Sequence, residues 1–421
     1  MFNKERIDKF LTFKPESILV FAILAFIILV TRRPDIISHP QLWAEDGKAF
    51  LEPIWNNGFI HSIITPRDGY FQSLPKITMA FASLFGLGNV ALISTLTAII
   101  IRCLLISFVL CGRFSYIDIK LRVIFCIYFL VQPNVQEAYV NITNAHTYLA
   151  IYLLAVILAE ERESKAWKAH DYLVLLFSGI SGPFIALLAP SLLIKRIAQR
   201  RTLLNLFKNA NTFDFLFAAC ISVQAYSVIF GDYDRTKAPL GASWEIFFDI
   251  ITYKVIFGSL FDLNTVQWVI GNHVANATIS ILLFSSTLYL FFKLDWRFKS
   301  AACYVIITIA VSLYKPVINP VDKQWPLFLN AIVGCRYFIL SGMAVFSLIL
   351  IIIKRSTSNP YSSILIFCIA LSPSLIHSYR MPKLADVGFN EGIEMYEQSM
   401  TGQNVKINTN PPGWSMVLKK K

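Results

Sequence analysis

Long apolar segments recur along the whole 421-residue chain, and they restrict what it can fold into. A helix that crosses the hydrocarbon core of a bilayer needs roughly 20 predominantly apolar residues. Only 15% of the residues are charged and the mean hydropathy is +0.57, whereas soluble domains carry about 25% charged residues. The sequence therefore predicts an all-α polytopic membrane protein.

Eleven transmembrane helices are predicted from these segments. They lie near residues 16–32, 88–111, 121–132, 147–159, 172–181, 184–194, 212–230, 277–293, 300–314, 337–353 and 361–377. The fifth and sixth form a predicted hairpin that is broken at Ser181-Gly182-Pro183. Helices this short are tolerated in a membrane when they pack inside protein or line a cavity.

The distribution of basic residues predicts the orientation. Clusters on the side that also holds the N-terminus are Lys195-Arg196, Arg200-Arg201 and Lys354-Arg355. Because Lys and Arg are enriched in cytoplasmic loops, we predict a cytoplasmic N-terminus and a C-terminus on the outer face. Residues 1–377 then form the transmembrane domain with a first outer loop at 33–87, and residues 378–421 form a short tail on the outer face.

Several function classes are disfavoured by composition. The net charge of +12 is spread over many loops without a basic stripe, which argues against a nucleic-acid partner. The seven Cys are scattered and form no CxxC motif, and no His pair has metal-ligand spacing. We therefore expect no metal and no cofactor.

Two adjacent carboxylates, Glu45 and Asp46, follow Trp43 in the first outer loop. Adjacent acidic residues in a loop are usually just solvated. Here residues 49–55 predict an interfacial helix whose aromatic residues would hold the pair near the membrane surface. Partial desolvation raises the pKa of a carboxylate and suits it to act as a general base. We favour Asp46 as that base, with Glu45 as its partner.

Three basic residues of the outer loops are candidates for binding a phosphate. Arg67 lies in the segment 65–70, which also has the residues of a β-turn. Lys315 and Arg336 bound another outer loop, and an Arg at the end of a span can either reach lipid headgroups or hold a phosphate. Arg102, inside the second predicted span, is expected to snorkel or to pair with a neighbouring helix, away from the outer loops.

Polar and aromatic side chains supply candidates for substrate contact. Asn141, Asn144 and His146 precede a predicted helix, where they could cap it or bind sugar hydroxyls. Tyr337 follows Arg336, and Trp414 ends a Pro-Pro-Gly-Trp stretch in the tail. We expect the tail to pack back over the outer loops.

These stretches together resemble those of the GT-C superfamily of polyprenyl-phosphate-sugar glycosyltransferases. The closest resemblance is to the serotype-converting O-antigen glucosyltransferases (Gtr) carried by bacteriophages of enteric bacteria. The stretches that carry it are Trp43–Gly47, Asn141–His146, Ser181–Pro183, Cys335–Tyr337 and Asn410–Trp414. Unlike larger members of the superfamily, this chain has no sizeable soluble C-terminal domain.

The resemblance implies a hexosyltransferase of the bacterial inner membrane. Its donor would be undecaprenyl-phosphate-glucose and its acceptor a sugar of lipid-linked O-antigen on the periplasmic face. A flippase and a donor synthase would be its partners. Three alternatives remain open on the residues alone: a flippase or transporter of a lipid-linked sugar, an O-antigen polymerase or ligase, and an acyltransferase.

Overall fold

Helices dominate the chain. The computed structural model describes residues 15–161, 163–200, 208–231 and 237–421. Within these ranges the chain contains one two-stranded antiparallel sheet besides its helices. Two parts of the chain that were used to predict the orientation lie outside the described residues. They are the predicted cytoplasmic segment before residue 15, and Arg201.

The first part of the chain alternates long apolar helices with short ones. The α-helices are α1 (Pro15–Arg32), α2 (Asp35–Ser38), α3 (Glu52–Asn57), α4 (Phe59–Ile64), α5 (Ser73–Ser83), α6 (Leu87–Leu110), α7 (Ile119–Val131), α8 (Ala145–Leu158), α9 (Lys165–Gly179) and α10 (Phe184–Arg200). A π-helical segment, Asp46–Leu51, runs directly into α3, and 3₁₀ turns lie at Gly112–Phe114 and Gln136–Ala138.

The second part ends in a small helix and a β-hairpin. Its α-helices are α11 (Thr212–Phe230), α12 (Trp244–Ile250), α13 (Gly258–Leu260), α14 (His273–Lys293), α15 (Trp296–Tyr314), α16 (Gln324–Leu327), α17 (Ile339–Ser356), α18 (Pro360–His377) and α19 (Phe389–Gln398). The π-helical segment Ile251–Phe257 joins α12 to α13, and 3₁₀ turns lie at Gln267–Val269 and Cys335–Phe338. The strands are β1 (Asn404–Thr409) and β2 (Trp414–Lys419).

Every predicted span coincides with a helix to within two residues at the ends where it extends beyond that helix. Six helices of the described chain are long and apolar enough to cross a membrane: α6, α11, α14, α15, the segment Cys335–Ser356 that contains α17, and α18. The apolar part of α1 and all of α8 are shorter. The predicted break between α9 and α10 at residues 181–183 is also present.

The short helix α8 forms the centre of the bundle. Nearly all its side chains are buried, whereas most of α14 and α18 is exposed. A helix that is apolar on all sides needs protein around it, and α6, α10 and α15 pack against α8. The contact between α10 and α15 is close because Ser191 Oγ donates to Ser300 O (2.7 Å) and Ser300 Oγ donates to Ser191 O (3.0 Å).

Two buried arginines hold the loop between α7 and α8, residues 132–144. Arg32 donates to Leu130 O (2.7 Å) and to Gln132 O (3.1 Å), and Arg102 donates to Ala138 O (2.8 Å). The expectation that Arg102 lies away from the loops of the candidate site was therefore wrong. The loop packs against α6, so that its backbone meets this buried charge.

The tail does pack back over the first loop, as expected, and it is folded. We call residues 378–421 the C-terminal cap. The pairing of β1 with β2 runs from Asn404↔Lys419 to Thr409↔Trp414, and alternate β1 residues are buried against α19. Asn56 Nδ2 donates to Val417 O (2.8 Å), and Trp55 Nε1 donates to the hydroxyl of Tyr396 (2.9 Å). The predicted helix near 49–55 is present, but it is covered by the cap instead of lying free at a membrane surface.

Candidate functional site

A cavity of about 700 Å³ lies where four parts of the chain meet. Its walls come from the first loop, the loop between α7 and α8, the loop between α15 and α17, and the C-terminal cap. Eight of the ten residues selected from the sequence line it: Glu45, Arg67, Asn144, His146, Lys315, Arg336, Tyr337 and Trp414. Asp46 and Asn141 are not among the described residues that line it.

The cap presents Glu45 to this cavity. Trp43 forms a parallel β-bridge with Asn410, and the backbone N–H of Asn410 donates to Leu42 O (2.9 Å). Between this bridge and the helical segment at Asp46, the chain turns through Ala44 with φ at +42°. A non-glycine residue in that region is strained, and such strain is concentrated at functional sites.

The second carboxylate, Asp46, is only 2% exposed, and it accepts hydrogen bonds inside the protein. Its Oδ1 accepts hydrogen bonds from the backbone N–H (2.8 Å) and the hydroxyl of Thr143, and its Oδ2 accepts one from Trp43 N (3.4 Å). These bonds join the first loop to the loop between α7 and α8. The geometry separates the two acids, because Glu45 lines the cavity and Asp46 does not.

Burial raises the pKa of Asp46 to about 7, although the hydrogen bonds from Thr143 oppose that shift. The folded protein therefore retains a proton that the unfolded chain releases between about pH 4 and pH 7. Stability from this group should fall as pH rises through that window, by at most about 1.4 kcal/mol per pH unit. Asp46→Asn should remove this component. Melting temperatures at pH 5 and pH 8 should thus differ less in the variant than in the wild type, and an equal difference would contradict the assignment.

The basic candidates differ in how they are held. Arg336 donates through Nη1 to Glu137 Oε1 and through Nη2 to Val317 O (2.7 Å). Arg67 lies in the predicted turn, where its backbone pairs with Tyr70 and its Nε lies 3.6 Å from Asp68 Oδ2. Lys315 is exposed and follows the last turn of α15. An anion in the cavity would thus meet the fixed guanidinium of Arg336 and two cations, Arg67 and Lys315, that are held by fewer contacts.

Sequence reasoning missed Glu137, Arg33 and Gln72, which also line the cavity. Glu137 had a detectable signal, because it is the only charged residue between Arg122 and Glu160. A lone charge in a long apolar stretch is a functional candidate. Arg33 and Gln72 had no such signal, since each becomes a wall residue only through the long-range packing of the first loop.

The Asn and His residues of the loop have different positions: Asn141 holds the turn before α8, whereas His146 lines the cavity. Asn141 Oδ1 accepts from the backbone N–H (3.0 Å) and the side chain (2.9 Å) of Asn144, and its Nδ2 donates to Glu137 O (2.9 Å). Asn141 therefore shapes the turn before α8. His146 stacks on Phe184 with ring centroids 5.4 Å apart, and both line the cavity. The predicted break before α10 is what brings Phe184 to this point.

Part of the cavity is a groove between helices, lined by apolar and hydroxyl-bearing side chains. One face of α15 lines it with Tyr304, Thr308, Val311 and Ser312. At 1.5 Å per residue, this face extends roughly 12 Å along a candidate span. Ile151 of α8 and Leu187 of α10 also line the groove. The cavity thus joins a charged chamber to a groove between helices.

Aromatic side chains border the charged chamber. Trp43, Tyr70 and Trp414 line it, and Trp414 reaches it from the first residue of β2. The hydroxyl of Tyr337 accepts a hydrogen bond from Val317 N (3.0 Å), which fixes the ring against the loop after α15. Flat aromatic faces beside carboxylate and amide groups are suited to bind a sugar, whose rings carry both apolar C–H faces and hydroxyls.

Among the described residues, no group of three His, Cys, Asp or Glu side chains is placed to hold a metal ion. The cavity wall contains the carboxylates Glu45, Asp68 and Glu137, of which Asp68 lies beside Arg67 and Glu137 is paired with Arg336. No protein-family model, no curated protein and no solved structure matches this chain.

Proposed function

We propose that this protein is a membrane glycosyltransferase. It moves a hexosyl group from undecaprenyl phosphate to a sugar of lipid-linked O-antigen, and the resemblance to the Gtr enzymes implies that this group is glucose. One observation carries the proposal: the chamber that contains Glu45 and Arg336 is continuous with a groove that extends along α15 between helices. A substrate with a sugar and a phosphate at one end of a long hydrocarbon chain requires that combination.

The membrane arrangement belongs to the proposal. The chain crosses the inner membrane eleven times with its N-terminus in the cytoplasm, so that the first loop and the cap lie in the periplasm. The helices α8 and α10 are short for a bilayer but line the cavity, where irregular backbone is tolerated. No nucleotide sugar is needed on that face, because a flippase would deliver the donor from a cytoplasmic synthase.

Transfer would proceed by a single displacement. Glu45 takes the proton of the acceptor hydroxyl as its oxygen attacks the anomeric carbon. The bond from that carbon to the phosphate oxygen breaks, and its electrons remain on the lipid phosphate. Arg336 and Lys315 stabilise the charge that develops there. One displacement inverts the anomeric centre, and a phosphate leaves without a strong general acid. Asp46 keeps the loop that carries Glu45 joined to Thr143.

The proposal is tested by supplying both substrates to the purified protein in detergent. Undecaprenyl-phosphate-glucose that carries the radiolabel in its glucose, supplied together with lipid-linked O-antigen, should give labelled O-antigen. The O-antigen of cells that express the protein should gain the same residue. If the protein in vesicles instead moves the labelled donor across the bilayer and leaves the acceptor unmodified, it is a flippase.

A further inference from the structure

Glu137 holds one residue of the cavity wall at two points. Its Oε2 accepts the backbone N–H of Arg336 (3.1 Å), and its Oε1 accepts from the guanidinium Nη1 of the same residue. On the other side, Arg336 Nη2 donates to Val317 O (2.7 Å). The backbone and the head group of Arg336 are thus fixed together. A guanidinium has five N–H donors, and these two bonds use only two of them.

Glu137 is itself placed by a buried arginine. It lies in the middle of the 3₁₀ turn Gln136–Ala138, and Ala138 O accepts from Arg102 Nη2 (2.8 Å). Arg102 is 2% exposed, donates to Ala98 O (2.7 Å) and lies 3.6 Å from the ring centroid of Tyr148. A continuous set of contacts therefore runs from inside α6 to the cavity.

Charge explains why an acid is needed at this position. An unpaired guanidinium on a flexible side chain would adopt many rotamers, and ordering it would cost free energy when a ligand binds. The charge-assisted bond to Glu137 fixes the guanidinium in advance. Glu137 touches neither the carboxylate Glu45 nor Lys315 through any hydrogen bond or ion pair among the described residues, so its role acts through Arg336.

We propose that Glu137 is a positioning residue, held in place by Arg102 through the backbone of Ala138, that aims Arg336 at the lipid phosphate of the substrate. This inference rests on the proposed function only for its assignment of Arg336 to the donor phosphate. It predicts that Glu137 governs the affinity for lipid phosphate and leaves the chemical step nearly unchanged.

The first experiment measures the binding of farnesyl phosphate to the purified protein in detergent, with farnesol as the uncharged comparison. Losing one hydrogen bond to a charged group typically weakens binding about tenfold. Glu137→Gln should therefore raise the Kd for farnesyl phosphate by about that factor and leave binding of farnesol unchanged. In the transfer assay the KM for the donor should rise similarly, while kcat stays within about threefold.

A second pair of variants separates positioning from general stability. Arg102→Lys removes the bond to Ala138 O, whereas Arg122→Lys alters a buried arginine that donates to Leu110 O (3.0 Å) and Cys111 O (2.8 Å) away from the cavity. Both should lower the melting temperature. Only Arg102→Lys should also weaken the binding of farnesyl phosphate.

Three results would overturn the inference. Unchanged affinity in Glu137→Gln would show that Arg336 needs no positioning. A fall in kcat of more than about a hundredfold with an unchanged KM would make Glu137 a reacting group. If Glu137→Gln cannot be purified, equal affinities of the two Arg variants would refute it. Wild-type protein that binds farnesyl phosphate but transfers no sugar would contradict the proposed function alone.

Discussion

Glu45→Gln should lower the kcat for sugar transfer by about 10² to 10⁴, the usual contribution of a general base. Gln keeps the size of the side chain and its place in the cavity wall, but it cannot accept the proton of the acceptor hydroxyl. The KM for the lipid donor should change little, because the proposed phosphate contacts come from Arg336 and Lys315 and not from Glu45. Initial rates with the purified variant at saturating donor measure the effect.

Asp46→Asn is the matched control for that experiment. The Asn side-chain oxygen can still accept both bonds from Thr143, so the two loops stay joined. We expect a loss of no more than about tenfold, the cost of one weakened hydrogen bond. If Asp46→Asn is inactive while Glu45→Gln keeps its rate, Asp46 is the base, as the sequence alone had suggested.

Gly47→Val should detach the C-terminal cap from the first loop and abolish most activity. A Cβ at Gly47 would lie 2.9 Å from Thr409 Cγ2 and 3.2 Å from Met416 Sδ, and both belong to the hairpin. Overpacking of this kind typically costs about 1–3 kcal/mol, and a β-branched side chain adds further contacts. Because Trp43 is bridged to Asn410, a displaced hairpin would also release the loop that presents Glu45.

Limited proteolysis of the cap measures this effect directly. Cleavage between α18 and α19 should become faster in Gly47→Val than in the wild type. Gly88→Ala provides the comparison, because a Cβ there has no atom within 4 Å and the residue lies in helix α6. That variant should be as resistant and as active as the wild type. If Gly47→Val cleaves no faster than Gly88→Ala, the cap is not held by this contact.

The helices could be located from the sequence because each span is a local property. Eleven apolar runs, the turn at residues 181–183 and the turn at Arg67 all depend on residues that are close in the chain. The hairpin β1–β2 was missed although it has a local signal. Val405 and Ile407 alternate with polar residues before Pro411-Pro412-Gly413, but this pattern is only six residues long and lies in an otherwise polar tail.

The members of the candidate site were easier to name than their roles. Eight of the ten selected residues line the cavity, because charged and amide residues between apolar runs are rare in this chain. Choosing between Glu45 and Asp46 required Thr143, which is 97 positions away in the sequence. Burial and hydrogen bonding separate these two acids, and both are set by the packing of loops that no local pattern describes.

The bridge between Trp43 and Asn410 also determines when during synthesis the cavity can become complete. The chain reaches residue 377 with every predicted span made, yet Pro411 and Trp414 of the wall are still missing. At about 5–20 residues per second, the cap is synthesised a few seconds after the last of these spans. A nascent chain whose predicted spans are complete would therefore hold an open, unfinished pocket, and under the proposed function it could bind its substrates at a complete site only after the cap has been made and has folded.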